Sequence, residues 1–372
     1  MYNDDVIYCA GVQMKHYDVI IIGGGIHGLS SAYSIAKQGK SVALLEQFEF
    51  GHLRGASHGP TRIFRLSYDD PDYVQMAMSS LAMWKKLEAE AGVSLIELNG
   101  CVDHGPADIM MKVVAAMDSC SVASEVLARD EAKDRWPNLE FDEVTVFQPG
   151  GGRIYARATL TALYEMCENK GVDFYEFTKV KNVVNQISGK VIVECENENF
   201  ESDLVVSTAG AWTYELLKDQ LPLREPTIYQ EDMLFFQSED PGAIWPNIRH
   251  HNSQDHFSQE APGVGILVGS DRTGQILKNA DDRDFLVDPM NGINICSYVE
   301  QYFPGLDPQP ISSYTYLSSF NDSGDFIVDR IGNIVVVMAC EQQGFKFGPL
   351  IGKYVAELVS GAQFPQLRFR LR

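Results

Sequence analysis

Three glycines and one glutamate near the start of the chain have the spacing of a dinucleotide-binding turn. Gly23, Gly25 and Gly28 follow a short apolar run, and Glu46 ends the next such run. The first glycine permits a tight turn, the second lets the backbone approach a pyrophosphate, and the third allows close packing of a helix. An acid in the position of Glu46 accepts hydrogen bonds from a ribose diol and disfavours a 2′-phosphate. The pattern predicts dinucleotide binding but does not by itself separate FAD from NAD.

A strand, a helix and a second strand must hold these residues in place. Residues 17–22 form a nearly continuous β-branched, apolar run, which is typical of a parallel strand buried on both faces. Residues 29–38 carry apolar side chains at helical spacing, and residues 41–46 form a second buried-strand pattern. Together they predict a β-α-β unit. The alternative is a glycine-rich turn in an unrelated α/β protein.

The rest of the chain alternates between helical and strand patterns. Amphipathic helices are predicted at residues 73–91, 107–117, 157–170 and 348–359. Strands are predicted at residues 190–195, 204–207, 232–237, 264–268 and 334–339. The region 216–316 is rich in strand patterns and poor in helical ones. We therefore predict an α/β protein in which a discontinuous Rossmann-type domain is interrupted by a second, mixed and strand-rich α+β domain.

Composition and charge narrow the range of partners. The 372 residues include 51 acidic and 30 basic ones, and the net charge of −21 disfavours nucleic acid and anionic membrane surfaces. No apolar run approaches the roughly 18 residues that a membrane span needs. The seven cysteines are scattered and the eight histidines lack metal-ligand spacing. We predict a reduced, cytoplasmic protein without a metal that binds a small molecule, as a monomer or small homo-oligomer.

The first residues do not resemble a targeting segment. Residues 1–16 lack the basic region and the apolar stretch of a signal peptide. Met14 stands just before the first strand pattern, so we expect the natural start near Met14 and treat residues 1–14 as an extension.

Further motifs carry a family resemblance. Residues 55–65 read GASHGPTRIFR and resemble the flavin-contacting segment of monomeric sarcosine oxidases and N-methyltryptophan oxidases. Residues 344–347 read GFKF, which resembles the same motif of that family, and residues 203–212 resemble its strand returning to the FAD. Tyr314 and Thr315 resemble the start of its active-site segment. The motifs occur in family order, and the chain is identified as a member of the D-amino-acid-oxidase-like FAD superfamily, on the sarcosine-oxidase branch.

The resemblance implies that the Rossmann-type domain binds an extended FAD. Its pyrophosphate would lie at residues 23–28, its ribose on Glu46 and its adenine against Val180. The isoalloxazine would lie between residues 57–62 and 344–346, near the positive end of the final helix, which favours an anionic reduced flavin. The residues expected to bind the cofactor are Gly23, Gly25, Ile26, His27, Gly28, Glu46, Gln47, Gly55, Ser57, His58, Thr61, Arg62, Val180, Ala209, Gly210, Trp212, Ala339, Gly344, Phe345 and Lys346.

The resemblance also implies a substrate clamp. Arg65 and Lys346 match positions that hold the substrate carboxylate in the family, and a guanidinium with an ammonium suits that group. Tyr314 matches a family active-site tyrosine that would orient the substrate, and His256 is expected to face it. His58 is expected to be a neutral ring hydrogen-bonded to the cofactor.

Structural alternatives stay open for several of these residues. Arg62 and Arg65 could instead form surface ion pairs with nearby acids, namely Asp69, Asp70 or Asp72. Tyr314 could be a packed core residue, and residues 344–347 could be an ordinary turn before a helix.

Four features depart from the family pattern. The family cysteine that binds flavin covalently is matched by Ser312, so FAD is predicted to bind noncovalently. The family lysine that activates oxygen is matched by Leu267, and a family histidine shortly after it is missing, with Asp271 nearby. A glycine-rich approach to GFKF is replaced by ACEQQ at residues 339–343. Because a cation near flavin N5 stabilises forming superoxide, Leu267 leaves the electron acceptor open, although Arg272 could restore a cation.

These observations predict an FAD-dependent amine oxidoreductase. It would remove a hydride from the carbon next to the nitrogen of a secondary or cyclic amino acid, giving an imine and, if oxygen is the acceptor, hydrogen peroxide. The alternatives are an FAD-dependent amino acid dehydrogenase with another acceptor and a catalytically inactive flavin-binding partner subunit. The predicted domains are an FAD-binding domain at residues 15–85, 146–214 and 318–372, and a substrate-binding domain at residues 86–145 and 215–317.

Overall fold

Strands and helices alternate along the chain in the computed structural model, which describes residues 14–240, 242–362 and 366–371. Residues 1–13 of the predicted extension lie outside this description. The strands are β1 (Lys15–Ile22), β2 (Val42–Leu45), β3 (Thr61–Phe64), β4 (Ile96–Glu97), β5 (Cys101–Gly105), β6 (Glu125–Ala128), β7 (Val144–Gln148), β8 (Gly152–Tyr155), β9 (Asp173–Tyr175), β10 (Val180–Asn185), β11 (Val191–Cys195), β12 (Asn199–Ser207), β13 (Thr227–Phe236), β14 (Asn247–His250), β15 (His256–Ala261), β16 (Gly265–Ser270), β17 (Gln275–Leu277), β18 (Ser312–Phe320), β19 (Ile327–Ile331) and β20 (Ile334–Met338). The helices are α1 (Ile26–Ala36), α2 (Pro71–Ala91), α3 (Ala107–Ser119), α4 (Arg129–Arg135), α5 (Ala156–Glu168), α6 (Thr213–Leu217), α7 (Pro289–Tyr302) and α8 (Gly348–Val359).

The first sheet is built around the predicted β-α-β unit. β1 lies between β2 and β12, and both pairings are parallel. β9 extends the parallel arrangement beyond β2, and β20 extends it beyond β12. β10, β11 and β19 complete this sheet through antiparallel pairings. The carboxyl ends of β1, β2 and β12 therefore meet at one edge, which is where open α/β sheets bind ligands.

The strand-rich region forms a second, mostly antiparallel sheet together with β5, β6 and β7. Its nine strands run in the order β17-β13-β16-β15-β14-β5-β7-β6, with β18 also paired to β13. β3, β8 and β4 form a small third sheet. The predicted α/β class with a Rossmann-type sheet and a strand-rich second part is confirmed. The exact domain boundaries stay a proposal, which the membership of the two large sheets supports.

The predicted helices are present, with ends shifted by a few residues, and one long helix was missed. α7 lies within the region predicted to be poor in helices. Asp288 caps it by accepting a hydrogen bond from the backbone N–H of Asn291 at 2.9 Å, and Pro289 occupies its first turn. Its apolar pattern is weak because Met290 and Ile293 are exposed and only one side packs against the second sheet. The Asp-Pro start was the signal available in the sequence.

Two helices from opposite ends of the chain pack through glycine. A Cβ atom added to Gly348 would lie 2.4 Å from the Ile26 side chain, and one added to Gly352 would lie 2.4 Å from the Ser30 carbonyl oxygen. α8 therefore contacts the backbone of α1 directly. This contact brings the turn that precedes α8 close to the glycine turn that precedes α1.

None of the helices in the described part of the chain has both the length and the apolar composition that a membrane crossing requires.

We expect Gly352→Ala to destabilise the fold, because the added methyl group meets backbone rather than a side chain that can move. Overpacking of this kind costs about 1–3 kcal/mol, more than the roughly 1 kcal/mol that alanine gains over glycine in a helix. Thermal unfolding measures the effect.

Gly292→Ala in α7 is the matched control. Its added Cβ would lie 3.5 Å from Val287, an ordinary contact. We expect an unchanged or higher melting temperature for this variant. Equal melting temperatures for the two variants would contradict the close packing of α8 on α1.

Candidate active site

The glycine turn between β1 and α1 is shaped by close backbone contacts. Gly23 has a φ of 101°, and a Cβ there would lie 2.7 Å from the Thr208 carbonyl oxygen. A Cβ on Gly28 would lie 1.9 Å from the Gly23 carbonyl oxygen. Gly25 has ordinary extended backbone angles and adds no side-chain cap to α1. The close contacts at Gly23 and Gly28 therefore both require glycine. The start of α1 is left accessible to an anion.

Glu46 is fixed over this turn at the end of β2. Its carboxylate accepts hydrogen bonds from the backbone N–H groups of Gly24, at 2.8 Å, and Phe48, at 3.0 Å. The His52 ring nitrogen lies 3.5 Å from the same carboxylate. Glu46 is buried but lines the cavity described next, so its remaining acceptor positions can meet a ribose.

A cavity of about 1780 Å³ extends from the glycine turn to the turn before α8. Pockets for drug-sized ligands are about 300–1,000 Å³, so this one can hold a dinucleotide together with a substrate. It is lined by most of the residues predicted to bind a cofactor: Gly23, Gly25, Ile26, His27, Glu46, Gln47, Gly55, Ser57, His58, Arg62, Val180, Ala209, Gly210, Trp212, Ala339, Gly344, Phe345 and Lys346. Gly28 and Thr61 are the predicted residues that do not line it. Gly28 instead packs against the turn, and Thr61 is buried in β3.

The segment at residues 55–62 is held by two arginines. Arg62 donates hydrogen bonds to the carbonyl oxygens of Ala56, His58 and Thr61, and its guanidinium lies 5.5 Å from the Phe345 ring. Arg283 donates to the two carbonyl oxygens that immediately precede the segment, those of Leu53 and Arg54. Sequence reasoning missed Arg283, because it contacts residues about 230 positions away.

His58 presents a neutral ring to the cavity. Burial, together with the charges of Arg62 and Arg283, lowers the pKa of His58 to about 3. Its Nε2 atom is buried without a hydrogen-bond partner, and its ring lies 5.3 Å from Tyr314. The uncharged ring agrees with the first part of the expectation from the sequence, and its hydrogen bond to the cofactor stays a prediction.

The turn before α8 is tied to both α1 and α2. The neutral His27 ring, whose pKa burial lowers to about 4, lies 3.2 Å from the Gly344 carbonyl oxygen. The Lys346 carbonyl oxygen accepts hydrogen bonds from Ser80 and from Trp84 on α2. A Cβ on Gly344 would lie 1.7 Å from the Ala339 carbonyl oxygen, so glycine is required there.

Two consecutive residues other than glycine have left-handed backbone angles just before this turn. Glu341 has a φ of 40° and Gln342 a φ of 53°. Both line the cavity, and both amide atoms of Gln342 are buried without a partner. Burial raises the pKa of Glu341 to about 7. Strain together with orphaned polar atoms at a cavity wall indicates a segment shaped for a ligand rather than for packing.

Arg65 and Lys346 converge on the ring of Tyr68. The Arg65 guanidinium lies 4.0 Å and the Lys346 ammonium 5.9 Å from the ring centre. Burial, with the charges of Arg65 and Arg249 nearby, lowers the pKa of Lys346 well below its ordinary value. Both residues line the cavity and form a local positive site.

The alternative of surface ion pairs for Arg62 and Arg65 is wrong within the part of the chain that the structure describes. Asp70 and Asp72 pair with Arg368 instead. Arg62 binds the carbonyl groups described above, and Arg65 donates to the Ser67 carbonyl oxygen.

Arg249 is a third cation that sequence reasoning missed. It lies on β14 and lines the cavity, pairing with Asp271 and, at 3.2 Å, with Asp255. Its Nε atom is buried without a partner. An arginine in a short strand gives no signal by itself, because its role depends on acids brought in from neighbouring segments.

The two remaining predicted residues are placed differently from each other. Tyr314 on β18 lines the cavity and interacts with Arg62, and burial raises its pKa. His256 on β15 does not line the cavity. Its ring stacks on Tyr298 of α7 at 3.7 Å, on the face opposite to Phe257 and Gln259, which do line it. The expectation that His256 faces a substrate is therefore corrected: strand alternation turns it away.

The departures from the family pattern fall at different places. Leu267 on β16 is buried and lines the cavity. Ser312 lies at the exposed start of β18 and lines a separate groove with Ile311. Among the described cysteines, Cys340 lines the cavity.

One group of side chains outside the cavity has metal-ligand types. Donor atoms of His104, Asp142 and His250 lie within 4.8 Å of one another. Asp142 already binds both rings, through its backbone N–H to His104 and its carboxylate to His250. The two rings stack at 3.9 Å, so their nitrogen lone pairs run side by side rather than converge. We assign no metal to this group.

Comparisons with known proteins agree with this geometry. Residues 18–358 match the family model described as FAD dependent oxidoreductase. Over 92% of both chains, the sequence is 27% identical to the monomeric sarcosine oxidase of Bacillus sp. (strain B-0618). It is 28% identical to the peroxisomal sarcosine oxidase of Homo sapiens over 93% of both chains.

Solved structures share the fold. NikD, described as an unusual amino acid oxidase essential for nikkomycin biosynthesis, superposes with a TM-score of 0.87 at 23% identity, over 96% of this chain and 98% of that one. Glycine oxidase from Geobacillus kaustophilus superposes with a TM-score of 0.82 at 19% identity, over 96% and 99%.

The residues of the cavity fit FAD. The glycine turn and Glu46 offer amides and a carboxylate to the pyrophosphate and ribose, and a Cβ on Gly25 would lie 3.0 Å from Ser57 Oγ, which also lines the cavity. At the other end, His58 Nε2 and the Gln342 amide are orphaned polar atoms that a ring with polar edges can satisfy. The donor set therefore matches the two ends of the cofactor.

We expect Gly25→Ala to weaken FAD binding while the fold is kept. The backbone angles of Gly25 suit any residue, so the cost comes from the space that the methyl group takes beside Ser57. FAD titration should show a dissociation constant at least about tenfold higher, which corresponds to about 1.4 kcal/mol. Gly292→Ala, which makes the same change outside the cavity, should bind FAD as the unchanged protein does. Equal affinity in both variants would contradict the pyrophosphate position.

Proposed function

The chain belongs to the family of FAD-dependent oxidoreductases, and we propose that it removes a hydride from the carbon next to the nitrogen of a secondary or cyclic amino acid. The observation that carries this proposal is the convergence of Arg65 and Lys346 on Tyr68, directly beside the turn before α8. FAD, when bound, supplies the hydride acceptor. The protein side chains bind and orient the substrate.

The two cations are suited to bind one carboxylate. Arg65 presents a planar guanidinium that can donate two parallel hydrogen bonds, and Lys346 adds a point charge. The low pKa of Lys346 reflects burial beside other cations, and a bound carboxylate offsets both effects. Substrate binding therefore favours the charged form of Lys346. The protein has a net charge of −21, but this site is locally positive and attracts an anion.

One wall of this part of the cavity is apolar or aromatic. Leu267, Phe257, Tyr314 and Tyr316 line it. Hydride loss requires the unprotonated amine, and this wall can pack against that uncharged form. Tyr314, anchored by Arg62, is placed to orient the amine or the carboxylate.

We propose that FAD is held without a covalent bond. Ser312 has no thiol and lies outside the cavity, so it offers no attachment. The yellow colour should leave the protein on acid precipitation. Colour retained in the pellet would contradict this proposal and direct attention to Cys340.

A non-oxygen acceptor is the second candidate. Leu267 places an apolar side chain where the resemblance expects a lysine. Arg272 lines the cavity with its guanidinium over the Phe320 ring at 4.2 Å, and its role as a replacement cation stays a prediction. The same oxidation of an amino acid would then be completed by another electron acceptor.

The unpaired state of the described cysteines supports a reducing, cytoplasmic compartment for either activity.

A panel of N-methyl, cyclic and primary amino acids, added without oxygen, tests the proposed function. We expect at least one secondary or cyclic amino acid to bleach the flavin absorbance. In Arg65→Met and Lys346→Met the concentration needed for half-maximal bleaching should rise by about 30-fold or more, since removal of one partner of a desolvated charge pair costs about 2–5 kcal/mol. FAD content should not change.

Arg224→Met is the matched control, because Arg224 is exposed and pairs only at 3.7 Å with Asp322. It should bleach as the unchanged protein does. An unaltered concentration dependence in both clamp variants would refute the carboxylate assignment. A protein that no amino acid bleaches would refute the proposed function itself.

We expect Leu267→Lys to speed the return of flavin absorbance when air is admitted after bleaching. A cation in this position would stabilise charge that develops on oxygen, and removal of one such stabilising group typically changes rates by about 100-fold or more. Leu267→Met, which keeps the size without a charge, is the control and should remain slow. If the unchanged protein already recovers as fast as the lysine variant, oxygen is its acceptor and this position does not control it.

A further inference from the structure

A histidine and an aspartate form a pair at the cavity wall that the resemblance does not provide for. His251 follows β14, lines the cavity and has a largely buried side chain. Its Nε2 atom lies 2.9 Å from the carboxylate of Asp103 on β5. Asp103 is completely buried and also accepts a hydrogen bond from the Ser67 hydroxyl.

The pairing determines which nitrogen of His251 can accept a proton. A carboxylate only accepts hydrogen bonds, so Nε2 of the neutral ring carries the hydrogen and Nδ1 has the free lone pair. Nδ1 lies 3.9 Å from the Asp255 carboxylate, on the side of the ring away from Asp103. Asp255 itself lines the cavity. A proton arriving at Nδ1 would be stabilised by a carboxylate on each side.

The pair is joined to the substrate clamp through one residue. Arg65 donates a hydrogen bond to the Ser67 carbonyl oxygen, and the Ser67 hydroxyl donates to Asp103. Ser67 therefore contacts both Arg65 of the clamp and the carboxylate of Asp103. A substrate carboxylate on Arg65 would therefore lie in the same part of the cavity as His251.

The charges around His251 favour an ammonium group. The charged and titratable groups that surround it are Asp103 and His104 on β5, Arg249 and His250 on β14, Asp255 before β15, and Asp271 after β16. His104 and His250 add no charge, because burial and neighbouring histidines lower the pKa of His104 and burial lowers that of His250. The charges that remain around His251 are three carboxylates and one guanidinium. This end of the site attracts the positive group of a zwitterion, while Arg65 and Lys346 attract its negative group.

We infer that His251 is the general base that takes the amine proton of the substrate, with Asp103 as its positioning residue. This inference rests on the proposed oxidation of an amino acid. In the step, the N–H bond of the substrate ammonium breaks, the Nδ1–H bond of His251 forms, and the electron pair stays on the amine nitrogen. The step consumes no oxidant, and it leaves the neutral amine that hydride loss requires.

The pH dependence of anaerobic bleaching tests the inference, with sarcosine and L-proline as probes of the FAD-loaded protein. In His251→Gln the rate constant at pH 7 should fall about 100-fold or more, the usual contribution of a general base. It should rise about tenfold per pH unit and approach the unchanged protein near pH 10, where solvent has deprotonated the amine. Asp103→Asn should show the same pattern, because an amide can hold His251 in the other tautomer.

His256→Gln is the matched control, because His256 is a buried histidine on the other face of the same sheet. Its pH profile should match that of the unchanged protein. A His251→Gln profile that overlays the unchanged one, or that is lowered equally at every pH, would overturn the inference. Benzoate, an acid without an amine, should perturb the flavin spectrum equally in His251→Gln and the unchanged protein, since the clamp is intact.

Nitrogen NMR of the histidine rings keeps the inference separate from the proposed function. The neutral His251 ring of the FAD-loaded protein should carry its hydrogen on Nε2, and Asp103→Asn should change this signal. An Nδ1–H tautomer in the unchanged protein would overturn the base assignment even if substrates bleach the flavin. If no member of the amino acid panel bleaches the unchanged protein while the tautomer is as expected, the proposed function fails and the base role of His251 fails with it, whereas the pairing of His251 with Asp103 stands.

Discussion

The direct contact of α1 with α8 is the constraint on which the site depends. Gly352 lets α8 meet the backbone of α1 at Ser30, and Gly348 leaves room for the Ile26 side chain. Residues more than 300 positions apart then share one wall, as the 3.2 Å approach of His27 to the Gly344 carbonyl oxygen shows. The glycine turn and the turn before α8 consequently open into one cavity. A bulky side chain in this helix contact would separate the phosphate-binding end from the catalytic end.

The inner end of the cavity gathers positive side chains, whereas the whole molecule is strongly negative. A protein with an excess of 21 acidic residues buries a lysine beside two arginines. Such a cluster is costly without an anion, and the depressed pKa of Lys346 is the sign of that cost. The carboxylates near Arg249 partly offset it and leave the clamp side positive. Separation of the two signs across one small space suits a zwitterionic substrate better than a simple anion.

Local patterns could be predicted from the sequence, and contacts between distant strands could not. The glycine turn and Glu46 were predicted because their roles follow from spacing within one β-α-β unit. His256 was placed on the wrong face, because which side of β15 meets the cavity depends on its pairing with β14 and β16. The pairing of His251 with Asp103 joins residues 148 positions apart, and Arg249 depends on Asp271 in another strand connection. No spacing in the sequence reports such contacts.

The segment at residues 339–343 argues that the site is adapted to its own substrate. Side chains with left-handed backbone angles are costly, by about 1–3 kcal/mol each, and two occur in succession at Glu341 and Gln342. If the segment served only packing, the amide of Gln342 would be expected to find partners in the protein, yet both of its polar atoms are buried without any. Glycine would relieve the strain but would remove these polar atoms from the cavity wall. The strain is therefore best understood as the cost of presenting an amide and a carboxyl group to a bound molecule, beside the clamp that holds its acid.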